Sequence, residues 1–83
     1  MNAKKMAVKN RIKYLIDALG ETRYQFWKKT GLAQNTAYRL YDHPDYIPGR
    51  DVIEKLCRTY KWQPGDFIVY EEINIKDVTD TMG

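Results

Sequence analysis

Apolar residues recur along this chain at helical spacing. Ile12, Leu15, Ile16 and Leu19 stand at i, i+3, i+4 and i+7, the buried face of a helix predicted from Val8 to Leu19 and ended by Gly20. A second helix is predicted from Arg23 to Thr30, with Phe26 and Trp27 beside polar Lys28 and Lys29, and a third from Gln34 to Tyr41. A fourth begins near Arg50 with Gly49 as its N-cap, and Val52, Ile53, Leu56, Cys57 and Tyr60 form its stripe. Between the third and fourth, Asp42 to Gly49 (DHPDYIPG) reads as a loop, because Pro44 and Pro48 oppose helix continuation. Tyr46 and Ile47 are apolar inside it, so the loop is expected to fold back on the body.

Beyond the fourth helix, Trp62 to Asp66 reads as a turn or one helical turn. Phe67-Ile68-Val69-Tyr70 is a β-branched and aromatic run, a strand. Its partner is either the segment near Ala7 to Asn10 or its own copy in a second subunit, and Ile73-Asn74-Ile75 would extend it. The organisation expected is a loose basic leader over 1–7, one folded domain over 8–72 and an acidic tail over 73–83, frayed from Val78 to Gly83.

Composition narrows the class. Eighty-three residues make one small domain with a modest core, which dimerisation would help. No apolar run has the length of a membrane span, and the start, MNAKKMAVKNR, lacks the apolar stretch of a secretory signal. The single cysteine, Cys57, excludes an internal disulfide, and a cytoplasmic protein is expected. Residues 1–65 carry 13 Lys/Arg against 6 Asp/Glu, whereas residues 66–83 carry 1 Lys against 5 acids. A basic body with an acidic tail suits a polyanion-binding surface from which the tail is held away.

The stretch from Thr22 to Tyr41, TRYQFWKKTGLAQNTAYRLY, says the most. Thr22 and Gln25 have the spacing of a capping box at the start of the second helix. Gly31 can take the left-handed conformation that ends it. Leu32 follows as a buried plug, and Gln34-Asn35-Thr36 opens the next helix, with Arg39 one turn on. A helix that begins with amides and carries an Arg suits a DNA major groove, because Gln and Asn can pair bidentately with adenine and Arg with guanine.

This spacing resembles the helix-turn-helix of the Cro/C1-type (phage repressor-like, XRE) family, through Tyr24, Phe26, Gly31, Leu32, Thr36, Arg39 and Leu40, over about Val8 to Tyr70. The chain departs from the family pattern at Trp27, where a small Ala is usual, at Ala33 in place of a Ser or Thr cap, and at Ala37 in place of Ile or Val. Ala37 would leave room for the Trp27 ring. The resemblance implies a mainly all-α, lambda repressor-like domain of four or five helices with a short C-terminal strand. It further implies a transcriptional regulator, a repressor, that binds double-stranded operator DNA as a homodimer.

Candidate base contacts are Gln34, Asn35, Thr36 and Arg39; candidate phosphate contacts are Thr22, Arg23, Tyr38 and Arg50. Each has a bland counterpart. Gln34, Asn35 and Arg39 would otherwise be a solvated helix face, Thr36 would pack inward, and Thr22 would only cap. Tyr41 and Tyr46 are expected at the rim of the core, His43 in the loop, and Cys57, Trp27 and Trp62 in the core. One His, one Cys and no phosphate-binding loop give no catalytic constellation, so the chain is read as no enzyme, with no cofactor and no metal. Glu71 and Glu72 alternate faces if strand-like and do not converge. The competing reading is a protein-interaction or antitoxin-like module on the same fold, docking through Tyr46 and Ile47; an RNA-binding domain would need exposed stacking aromatics.

Overall fold

Seven side chains with no solvent exposure form the core: Ile12, Ile16, Phe26, Ala37, Leu40, Leu56 and Phe67. A computed structural model describes residues 5–73; residues 5–7 of the expected 1–7 leader and Ile73 of the expected tail lie in strands, while residues 1–4 and 74–83, including the rest of the Ile73-Asn74-Ile75 extension and the Val78–Gly83 segment, lie outside the described residues. The elements are β1 (Lys5–Asn10), α1 (Ile12–Ala18), α2 (Arg23–Thr30), α3 (Gln34–Asp42), α4 (Arg50–Tyr60), α5 (Pro64–Phe67) and β2 (Ile68–Ile73). Among the described residues the protein is therefore mainly helical, with five helices and a two-stranded sheet, consistent with a helix-turn-helix domain. No helix among the described residues is long and apolar enough to cross a membrane.

The expected first helix is corrected at its start. Val8 to Asn10 belong to β1, and α1 begins at Ile12. Asn10 makes the break. Its side-chain Oδ1 accepts from the Ile12 N–H at 3.0 Å, an Asn-based turn that satisfies a free amide at the helix start. Its Nδ2 donates to the carbonyls of His43 (3.0 Å) and Tyr46 (2.7 Å). The Asn10 N–H donates to Pro44 O at 2.7 Å, and Arg11 N–H to Phe67 O at 2.8 Å. One buried amide thus fastens the end of β1, the start of α1 and the loop between α3 and α4. At the other end, Gly20 has φ +76°, as the ending of this helix requires. Leu19, expected in the buried stripe, lies past the last helical residue and is 54% exposed.

The strand after the fourth helix also shifts. Phe67 closes α5, buried, and β2 starts at Ile68. Of the two partners considered, the structure has the internal one: β1 pairs antiparallel with β2, Val8 opposite Tyr70 and Asn10 opposite Ile68. The ribbon meets the core at its base, through Asn10 and Ile68. Further out, Met6, Val8 and Tyr70 share one face and are exposed at 44%, 46% and 68%.

In α4 only Leu56 is fully buried; Val52, Ile53, Cys57 and Tyr60 are half-buried against the core. Pro64 opens α5, where the Asp66 carboxylate accepts from the Gln63 N–H at 2.8 Å. Tyr60 stacks on Trp62, ring centroids 4.4 Å apart, and Trp62 leans on Phe67 at 5.7 Å, so aromatic area closes the base of the helical body. Of the α3–α4 loop, Tyr46 packs on the core as expected, whereas Ile47 stays exposed.

Candidate nucleic-acid interface

The start of α2 is built as its sequence spells it. Thr22 Oγ1 accepts from the Gln25 N–H at 3.0 Å, and the Gln25 side-chain oxygen accepts from the Thr22 N–H at 2.8 Å. Gly31, φ +73°, ends α2, and its N–H donates to Trp27 O. Buried Thr30 turns its hydroxyl back onto the Phe26 carbonyl at 2.9 Å, so it leaves no polar atom unpaired beneath the turn. Helix α3 then starts at Gln34. Its N-cap, Ala33, supplies no side-chain hydrogen bond, so the exposed start of this helix lacks the usual internal cap.

At 100° per residue, α3 turns Ala37 and Leu40 into the core, leaves Gln34, Asn35, Arg39 and Asp42 exposed, and sets Tyr38 half-buried at the edge between the two. Together with His43, the last five line a shallow open hollow. Two arginines frame it. The Arg39 guanidinium lies over the Tyr46 ring, 5.0 Å from its centroid. The Arg23 guanidinium, from the first residue of α2, lies over the Tyr38 ring at 4.0 Å and bonds Asp42 Oδ2 at 2.6 Å. Behind Tyr38 stands Trp27, edge to face at 6.1 Å, itself met by Tyr24 at 5.5 Å. Trp27 is half-buried against the core, of which the fully buried Ala37 is a member.

Of the residues singled out in the sequence, the fold brings Gln34, Asn35, Tyr38 and Arg39 into one surface and sets Arg23 against it. Thr36 is half-buried and does not line the hollow. Arg50 is also outside it, its side chain 88% exposed and 3.3 Å from Glu54. Thr22 is engaged in its capping box. Sequence reasoning missed Asp42, because the third helix was read only to Tyr41. The signal was present: Asp42 stands four residues after Tyr38 and before the pre-proline His43, so one more helical residue places it on the same face.

The flanks are polar and paired. Asp17 on α1 accepts from Lys13 Nζ at 2.8 Å and from the Tyr41 hydroxyl at 2.6 Å. The Lys13 hydrogen bond, then that of Tyr41, holds the Asp17 carboxyl below the ordinary range. Burial pushes the Glu21 carboxyl up, but hydrogen bonds from Lys29 and Tyr60 outweigh it and leave the group below its usual value. Among the described residues no group of His, Cys, Asp or Glu is arranged to hold a metal ion.

A capped helix, a left-handed glycine turn and a second helix with a polar outer face together define a helix-turn-helix unit. The model of the Cro/C1-type HTH DNA-binding domain matches residues 11–72, and the chain belongs to that family. No curated protein and no solved structure matches it. The family assignment supports DNA binding and a part in transcription regulation; domains of this kind are typically non-enzymatic.

Proposed function

We propose that this protein is a cytoplasmic transcriptional repressor that binds operator DNA as a homodimer, with α3 in the major groove. The carrying observation is the outer face of α3, where Gln34, Asn35 and Arg39 stand exposed side by side directly after the glycine turn. Two amides and a guanidinium are the side chains that read adenine and guanine edges. Arg23 and Tyr38 lie toward the α2 side of that face and would meet phosphate, as would the capped start of α2 at Thr22. Thr36, half-buried, and Arg50, across the loop, would contact DNA only at its margin. Occlusion of a promoter that overlaps the operator would give repression.

The homodimer draws support from the ribbon. A two-stranded sheet with open edges is marginal alone in water, and the face carrying Met6, Val8 and Tyr70 has nothing packed on it among the described residues. A two-fold axis along the strands would set β1 of one copy over β2 of the other, Met6 and Val8 of one copy against Tyr70 of the other across a shared apolar layer.

Selection of sites from random duplex DNA tests the reading. The expected product is an inverted repeat with half-sites ~34 Å apart. No enrichment by folded protein at low salt would remove the DNA-reading role and favour a protein-interaction module.

A further inference from the structure

Arg39 stands between two shallow hollows. Gln34, Asn35 and Tyr38 line the first with it, and His43, Asp45 and Tyr46 line the second. Its guanidinium lies over the Tyr46 ring, 5.0 Å from the centroid. The ring is itself held. Tyr46 packs half-buried on the core, its carbonyl accepts from Asn10 Nδ2 at 2.7 Å, and its N–H donates to His43 O at 3.1 Å. Among the described residues no carboxylate pairs with Arg39, in contrast to Arg23, which Asp42 engages. The attraction between a guanidinium and the negative face of a ring needs no hydrogen-bond acceptor, so it leaves the N–H fork available to a base.

We propose that Tyr46 is a positioning residue that presets Arg39 for base reading, an inference that rests on the DNA-binding reading above. An exposed arginine samples many rotamers, and fixing one in a groove costs that freedom. Tyr46 narrows the choice before DNA arrives. The contact is made in the free protein and kept on the duplex, so nothing has to break on the matching site. The ring raises the population of the reading conformer, and the affinity rises with it. On a duplex that offers Arg39 no guanine edge, the preset conformer gains nothing. Tyr46 thus acts on specificity through Arg39, without itself reaching a base.

The test is a double-variant cycle, read by fluorescence anisotropy on two duplexes of equal length, the selected site and a random sequence. Tyr46→Leu keeps an apolar side chain on the core and removes the ring. It is expected to weaken binding to the selected site by roughly two- to fivefold, the size of an exposed contact of this kind, and to leave the random duplex unchanged. Tyr46→Phe, which keeps the ring, should bind as the wild type does. In an Arg39→Ala background Tyr46→Leu should cost nothing further, whereas a residue that only shapes the loop would still cost. A pentafluorinated phenylalanine at this position keeps the shape and loses the negative face. It should show the same loss as leucine, and it decides the matter if the leucine variant unfolds. A loss that persists without Arg39, an equal loss on both duplexes, or full affinity with the fluorinated ring would overturn the proposal and leave DNA binding intact. If the folded wild type favours no duplex, the DNA reading fails and the proposal with it.

Discussion

Asn10 concentrates more of the fold in one side chain than any apolar residue does. It is 4% exposed, and both ends of its amide are used: the oxygen by the start of α1, the nitrogen by two loop carbonyls. Asn10→Ala would strand those groups without water. The loss is expected at about 2–4 kcal/mol, since each buried polar group left unpaired costs roughly 1–3 kcal/mol. Urea unfolding measures it; a loss below about 1 kcal/mol would show that water replaces the amide. Asn10→Asp keeps the acceptor but sets a buried carboxylate against the His43 and Tyr46 carbonyls, so at neutral pH it should cost at least as much as Asn10→Ala. Arg39 is the corresponding residue for the proposed function. Arg39→Ala is expected to cost roughly 1–3 kcal/mol on the selected site and to relax the preference at one base pair. Equal weakening on selected and random duplexes would reassign Arg39 to the phosphate backbone.

Among the elements, the helix-turn-helix was legible and its neighbours less so. Thr22, Gln25 and Gly31 act through their own local chemistry, so the bounds of α2 follow from their spacing alone. The start of α1 does not. Val8 stands one helical turn before Ile12 and continues the apolar stripe backwards, while Met6 and Val8 also alternate with Lys5, Ala7 and Lys9 as a strand would. Pairing with β2 decides between the two periods, and that is a contact across sixty residues. Asn10, two before the first helical residue, was the local signal. Asp42 escaped for a smaller reason: a helix boundary moved by one residue hides the only carboxylate on the face.

The link from α1 to α2 carries a pH dependence. Glu21 accepts from Lys29 on α2 and from the Tyr60 hydroxyl on α4 at 2.7 Å. Its carboxyl pKa is lowered on folding, despite burial that pushes it up. The sign follows. A carboxyl whose folded pKa lies below the unfolded one contributes its stabilisation in full above the ordinary Glu range, and loses it as pH falls through the lowered value. Glu21→Gln should therefore flatten the acid side of a stability–pH curve as pH falls through and below the ordinary Glu range. A variant whose curve runs parallel to the wild type through that window would mean that another carboxyl carries the acid limb.

At the scale of the whole molecule the ribbon and α3 place opposite demands on the surface. The face of α3 is polar and suits a polyanion, whereas among the described residues the ribbon leaves Met6, Val8 and Tyr70 exposed on one side. A helix-turn-helix that reads an inverted repeat needs its two copies fixed at a set spacing, and an apolar surface that takes no part in the reading face suits such a joint. Charges on that layer separate the two functions. Val8→Lys with Tyr70→Lys sets like charges directly opposite each other within a copy, so, on the proposed homodimer, the double variant should sediment as a monomer at concentrations where the wild type sediments as a dimer. Its helices hang on Asn10 and the core rather than on the outer ribbon, and the far-ultraviolet circular dichroism should change little. Binding to the full inverted repeat should weaken by tenfold or more, about 1.4 kcal/mol, while binding to one half-site should not weaken, because the added lysines bring no loss of contact at α3. A double variant that remains dimeric would place the joint elsewhere; one that turns monomeric and still binds the full repeat as tightly as the wild type would show that the copies read their half-sites independently.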